Sequence, residues 1–236
     1  MANLYYQGRG GRSFAVRWDD VHRLADFRET DRVLDVGCAE GLITLEVAKL
    51  VESIHGIDVV DDRIDEAKRL AAERRIVNAT FELASIIDYP LEPRSYDVTM
   101  FMAVWGKLTK DGGGRRRVGP DELARILEAT RRQLVMRVTV QLRPEYEPLL
   151  EEILDICDEH DFDALCFSRS TPKRERDEED RAPGRSGGAN MLIANRRGTD
   201  ARVGEVPPLV LVPAAMIADH PIIQSAQSPP VRRKAR

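Results

Sequence analysis

"VLDVGCAEGLIT", Val33 to Thr44, decides the reading of this chain. A short apolar strand, "RVLDV", ends at Val36 and runs into a loop bounded by Gly37 and Gly41. The loop runs in turn into "LITLEVAKLV", whose apolar residues recur at helical spacing. Glycine at both ends lets the backbone approach a ligand or the next helix closely. Loops of this kind usually carry a third glycine midway, where this chain has Ala39. Alanine costs little there if it keeps a negative φ, and an ordinary backbone conformation at Ala39 is the expectation. A glycine pair alone begins a dinucleotide site or a tight turn equally well.

Outward from this stretch, strand and helix patterns alternate. "SIHGID", "ATFELAS", "YDVTMFMAV" and "LVMRVTV" read as further strands, the fourth-strand stretch "YDVTMFMAV" apolar on both faces. "DDRIDEAKRLAAERR" opens on carboxylates and closes on arginines, as a helix dipole favours. "PDELARILEATRR" opens with Pro120 at a first-turn position, and "YEPLLEEILDICDEH" is a third periodic segment. "DALCFS" and "NMLIANR" follow as two strands with no helix between them, which suits an antiparallel edge. The expectation is an α/β protein with a doubly wound, mostly parallel, seven-stranded sheet and an antiparallel edge strand.

The expected organisation has three parts. Residues 1–30 form a leader or cap segment, with a short helix from about Trp18 to Phe27. Residues 31–197 form the ligand-binding domain. Residues 198–236 form a Pro-rich tail. Within the domain, 169–188 is charged and nearly devoid of apolar residues, so it reads as a mobile insertion. The tail contains "PPLVLVPAAMI", too apolar for water and expected to pack on this chain or to join a homodimer. "NLYYQG" near the start resembles a protease site used in expression tags, so Tyr5 and Tyr6 count only if native.

Composition narrows the function. The 236 residues carry a net charge of -4, which leaves no global nucleic-acid footprint. Cys38, Cys157 and Cys166 have no metal-ligand spacing, and no metal is expected. No apolar run reaches membrane-spanning length and no signal-peptide core opens the chain, so a soluble cytoplasmic protein is the default.

In a parallel sheet, ligands sit beyond the carboxyl ends of the strands. The informative positions are therefore Asp35 to Gly41, Asp58, Ser85 and Met102 to Lys107. Asp58 ends the second strand, where a carboxylate can take both hydroxyls of a ribose or cap the helix that follows. "GCAEGL" lacks the spacing of a nicotinamide-dinucleotide fingerprint.

In their order, "VLDVGCAEGLIT", "IHGID" and "NATFELASIIDYPLEPRSYDVTMFMAV" resemble the class I S-adenosylmethionine-dependent methyltransferases, a Rossmann-like family. The resemblance implies S-adenosylmethionine as cofactor and S-adenosylhomocysteine as product. It implies that Asp35, Gly37, Cys38, Ala39 and Gly41 wrap the methionine part. Asp58 would hold the ribose, with Val59 against the adenine. Ser85 and Ile86 would border the adenine amino group, where relatives often have Asp. Met102 and Ala103 would lie under the reactive methyl, and Tyr5 and Tyr6 would close the pocket. Lys107 stands where many relatives have His, and with Trp105 it is a weak candidate for catalysis or the substrate wall. Arg115, Arg116 and Arg117 lie on the ligand side and suit a phosphate or carboxylate.

The activity so implied is methyl transfer to oxygen or nitrogen of a small molecule. Two alternatives stay open. One is an RNA or tRNA methyltransferase using the basic loop 112–117 and the basic C-terminus. The other is a non-catalytic, cofactor-binding scaffold. No Asn/Asp-Pro-Pro-Tyr/Phe motif follows the fourth strand, and no cysteine lies near its end. That disfavours adenine or glutamine amino methylation and covalent cytosine C5 chemistry.

Overall fold

The structure is a computed structural model that describes residues 11–102, 108–111, 114–138, 147–169, 190–204 and 209–213. Helix α1 (Gly11–Leu24) precedes β1 (Arg32–Val36), α2 (Leu42–Val47), β2 (Ser53–Asp58), α3 (Asp61–Glu73), β3 (Ala79–Leu83) and β4 (Tyr96–Met102). A hairpin, β5 (Leu108–Asp111) and β6 (Gly114–Arg117), leads to α4 (Pro120–Ala129), β7 (Thr130–Val138) and α5 (Glu147–Glu159). The described chain closes with β8 (Phe162–Arg169), β9 (Asn190–Arg196) and β10 (Leu209–Pro213).

The main sheet has the order β10-β8-β9-β7-β4-β1-β2-β3. Strands β3, β2, β1, β4 and β7 pair in parallel. The antiparallel pairings gather at one edge, where β9 inserts between β7 and β8, and β10 pairs with β8. The doubly wound, mostly parallel architecture is the expected one. The main sheet has eight strands among the described residues, because "LVLVP" of the Pro-rich tail adds β10.

Strand alternation explains why both faces are covered. Along β4, Val98 and Met100 enter one core and Phe101 the other, all three fully buried. The first core lies under α1, α2 and α3 and contains Val21, Leu45, Ile64 and Leu70. The second lies under α4 and α5 and contains Leu34, Leu123, Ile126 and Ile153. Helix α4 starts as its sequence suggests, with Pro120 first and the Glu122 carboxylate accepting the Gly119 N–H at 2.8 Å.

At the amino ends of the strands the acidic residues are tied down. Arg132 on β7 is buried and donates to Asp31 at 2.6 Å and to Asp26 at 2.8 Å. Arg28 donates to Asp26 and to Asp200. The Gln133 side chain accepts the Asp26 N–H and donates to Asn195 and to the Arg202 carbonyl. Gly204 completes this clasp: its N–H donates to the Leu24 carbonyl at 3.2 Å. A Cβ at Gly204 would stand 1.8 Å from the Arg23 carbonyl oxygen.

Candidate functional site

The carboxyl ends of β1, β2, β3 and β4 share one pole, and the residues named from sequence assemble there. The loop after β1 turns through left-handed backbone at alternate residues: φ is 76° at Gly37, 51° at Ala39 and 72° at Gly41. The ordinary conformation expected at Ala39 is therefore corrected. The path that glycines allow at Gly37 and Gly41 imposes the same φ sign between them, at about 1–2 kcal/mol for an L-residue. The Ala39 N–H is held there by Asp58 Oδ2 at 3.0 Å.

Gly41 is needed twice over. Its φ is left-handed, and a Cβ there would lie 2.8 Å from the Phe81 ring and 2.9 Å from Ala67 Cβ. Gly56 on β2 is equally enclosed, with Phe81 and Cys38 about its missing Cβ at 2.9 and 3.0 Å. Phe81 thus props the loop from beneath. Cys38 turns its side chain into the core, and its thiol donates to the Ala39 carbonyl of the loop at 3.7 Å. Burial pushes the Cys38 thiol well above its usual range.

The loop N–H groups are mostly engaged. Those of Gly37 and Cys38 donate to the Ile57 carbonyl at 2.8 and 3.0 Å, and that of Gly41 donates to the Cys38 carbonyl. The loop presents carboxylates instead. Asp58 is 8% exposed, and its two oxygens each accept one backbone N–H, from Ala39 and from Val60. Each oxygen keeps a lone pair. The cap reading of Asp58 and the ligand reading are thus compatible.

Asp35 is buried, with Oδ2 accepting the Thr44 hydroxyl at 2.6 Å and Oδ1 enclosed without a partner. Burial, with a contribution from the Asp58 charge, pushes its pKa up to about 7. Among the described residues neither Asp35 nor Asp58 has a cationic partner. Thr44 escaped the sequence reading. Its signal was the spacing: it follows Gly41 by three residues, in the first turn of α2, facing the end of β1.

Val59 follows Asp58 half-buried, and Met102 ends β4 half-buried. Ser85 stands just past β3, its Oγ accepting the Ile87 N–H at 3.3 Å and its carbonyl accepting those of Asp88 and Tyr89. Ile86 is 3% exposed and belongs to the α4–α5 core. Tyr5, Tyr6, Ala103, Trp105 and Lys107 lie outside the described residues. For Arg115, Arg116 and Arg117 the structure describes the β6 backbone, which pairs Arg115 with Lys110 and Arg116 with Thr109. Among the described residues no three His, Cys, Asp or Glu side chains gather as metal ligands. Within the same residues no helix is long and apolar enough to cross a membrane.

Residues 27–131 match a family described as "Methyltransferase domain". Aklanonic acid methyltransferase DauC of Streptomyces sp. (strain C5) is 34% identical over 33% of this chain and 38% of its own length. An uncharacterized RNA methyltransferase, YwfF of Lactococcus lactis, is 36% identical over 29% of this chain and 13% of its own length. The chain therefore spans well under half of either relative. Among solved structures, a putative S-adenosylmethionine-dependent methyltransferase from Listeria monocytogenes aligns over 79% of this chain and 99% of its own. Its TM-score is 0.59 at 15% identity. The [4+2]-cyclase SpnF aligns over 81% and 84% with the same TM-score, 0.59, at 16% identity. Both likenesses are of fold.

Proposed function

We propose that this chain is a class I S-adenosylmethionine-dependent methyltransferase, that it binds S-adenosylmethionine at the glycine loop and that it transfers the methyl group to a small molecule. One observation supports this most: two buried carboxylates, Asp35 and Asp58, flank a loop whose N–H groups are largely engaged. A pyrophosphate needs free N–H donors and repels carboxylates. A ligand with an ammonium and a ribose needs the reverse. The unpartnered Asp35 Oδ1 suits the ammonium, and the remaining lone pairs of Asp58 suit the ribose hydroxyls.

When bound, the cofactor supplies a methyl activated on a sulfonium. The chain's own part is positioning. Thr44 fixes the Asp35 carboxylate, Phe81 holds the loop, and Val59, Ser85 and Met102 border the remaining strand ends. Aligning acceptor and methyl in line within a dry pocket supplies much of the rate in such reactions. The acceptor atom in this reading is oxygen or nitrogen. Trp105 and Lys107, just past β4, are the candidates for meeting the acceptor. The name of the Streptomyces relative, an aklanonic acid methyltransferase, accords with a small-molecule acceptor.

An RNA acceptor is the second reading, motivated by the Lys110–Arg115 pairing in the hairpin and by the name of the Lactococcus relative. It predicts RNA binding that weakens steeply with salt. A third reading stays in view, a cofactor-binding scaffold that methylates nothing, since one fold hosts many functions. The same proposal includes a cytoplasmic setting, which suits the free buried thiols of Cys38 and Cys157, and a homodimer through the apolar tail.

Calorimetric titration of S-adenosylmethionine into the protein and into Asp58→Ala tests the core of this reading. Binding by the parent and a loss of about a hundredfold in the variant are expected, as for two hydrogen bonds to a charged group. A parent protein that binds no cofactor overturns it.

A further inference from the structure

A crossover between parallel strands usually carries a helix that covers the sheet. Between β3 and β4 this chain has none: residues 84–95 run as turns and extended segments. The connection is held by Arg125 of α4, which donates to the carbonyls of Ile86, Ile87 and Tyr89. It leaves the amino-end half of β1, β2 and β3 partly open on the α4–α5 face. Arg32 and Ser53 are register partners there, as are His55 and Thr80. With Asn78, Tyr89 and Tyr96 they line a cleft of about 450 Å³. That volume is within the range of small-molecule sites.

The chemistry of the cleft is uneven. The His55 ring stacks on Tyr89 with centroids 6.0 Å apart and planes 25° apart. His55 Nδ1 is 2.8 Å from the Thr80 hydroxyl. His55 Nε2 lies 3.3 Å from Glu82 Oε2 but is not aligned for a hydrogen bond. The cation is the informative part. At this pole Arg28, Arg131 and Arg132 are each paired with an aspartate. The Arg32 side chain makes no ion pair among the described residues. The neighbouring Asp97 accepts its backbone N–H and pairs with Arg131 instead. A guanidinium left over among satisfied neighbours, beside a stacked aromatic wall, matches a planar anion.

We propose that this cleft binds a small aromatic carboxylate, its ring against Tyr89 and its carboxylate on Arg32. The site stands at the opposite end of the strands from the glycine loop. It is therefore an accessory site, and it does not depend on the methyltransferase reading. The test uses the full chain and two probes of one shape, 4-hydroxybenzoate and its neutral counterpart 4-hydroxybenzamide, followed in amide NMR spectra. Saturable shifts are expected at Arg32, Ser53 to His55 and Asn78 to Thr80, with the acid binding about tenfold tighter than the amide. Arg32→Gln removes that preference, and Tyr89→Leu weakens both probes alike while leaving the preference. Equal binding of acid and amide, or an unchanged preference in Arg32→Gln, overturns the proposal. So does an absence of shifts at these residues.

Discussion

The two ends of the sheet carry similar acidic groups in opposite circumstances. At the amino ends, Asp26 and Asp31 are enclosed by Arg28 and Arg132 and stitched to Gln133, Asn195 and Arg202. At the carboxyl ends, Asp35 and Asp58 are buried as Asp31 is, with no cation among the described residues. Titration follows the difference at Asp26, whereas burial raises Asp31 above its ordinary range despite the hydrogen bonds from the Arg28 N–H and Arg132. Burial pushes Asp26 up, but hydrogen bonds from Arg28 and the Arg202 N–H, with the Arg132 charge, outweigh it and hold Asp26 below its ordinary range. At Asp35 burial dominates over the Thr44 hydrogen bond, and the pKa rises to about 7. Around Asp26 and Asp31 the amino end has balanced its own charges, Arg32 standing apart. The carboxyl end leaves two carboxylates without a cation among the described residues, as the proposed cofactor site requires.

That contrast can be broken from either side. Arg132→Met should give the largest effect, a loss of about 3–5 kcal/mol, because it strands the buried Asp31 carboxylate, while Asp26 keeps Arg28. Chemical denaturation measures it, and cofactor affinity of the folded variant should be unchanged. Asp35→Asn should do the opposite at neutral pH. An acid whose folded pKa lies above its unfolded one binds more protons when folded, so it lowers stability progressively as pH rises from about 4 to about 7. The variant should be more stable than the parent at pH 8, by an amount on the order of a few kcal/mol, with little difference at pH 4. It should also bind S-adenosylmethionine at least about tenfold more weakly, since it lacks the charge for the ammonium. In the parent, the cofactor should bind more tightly as pH rises toward 7 and should displace a proton, seen as buffer-dependent heats.

Ala39→Gly is the smallest test. Relief of the left-handed alanine should add about 1 kcal/mol and raise Tm by roughly 2–4 °C. Destabilisation would mean that the φ at Ala39 is not strained.

The sheet was legible because its strands are short apolar runs punctuated by glycine and acidic residues, and Asp58 was legible because it stands at a strand end. Ala39 was misread for a local reason: residue type was weighed without the left-handed turns that Gly37 and Gly41 impose on either side. The ion cluster at the amino ends was illegible because its members are scattered in sequence. Asp26, Asp31, Arg132 and Asp200 meet only through the β1–β4–β7–β9 order. Strand β10 hid in a Pro-rich tail whose apolar run gave no hint of which strand it would join. The cleft at Arg32 was invisible too, since it follows from a helix that is not there.

The position of β9 constrains the order in which the chain can assemble during synthesis. Strands β1 to β4 hold their mutual pairings within the first 102 residues, and β7 joins them by residue 138. Among the described residues, strand β8 bonds only to β9 and β10, both of which follow it. As the chain leaves the ribosome, β8 has no sheet to join until residue 196 has emerged. Its run "FDALCFS" therefore spends that interval unpaired, the stage at which a chaperone would have the most to shield.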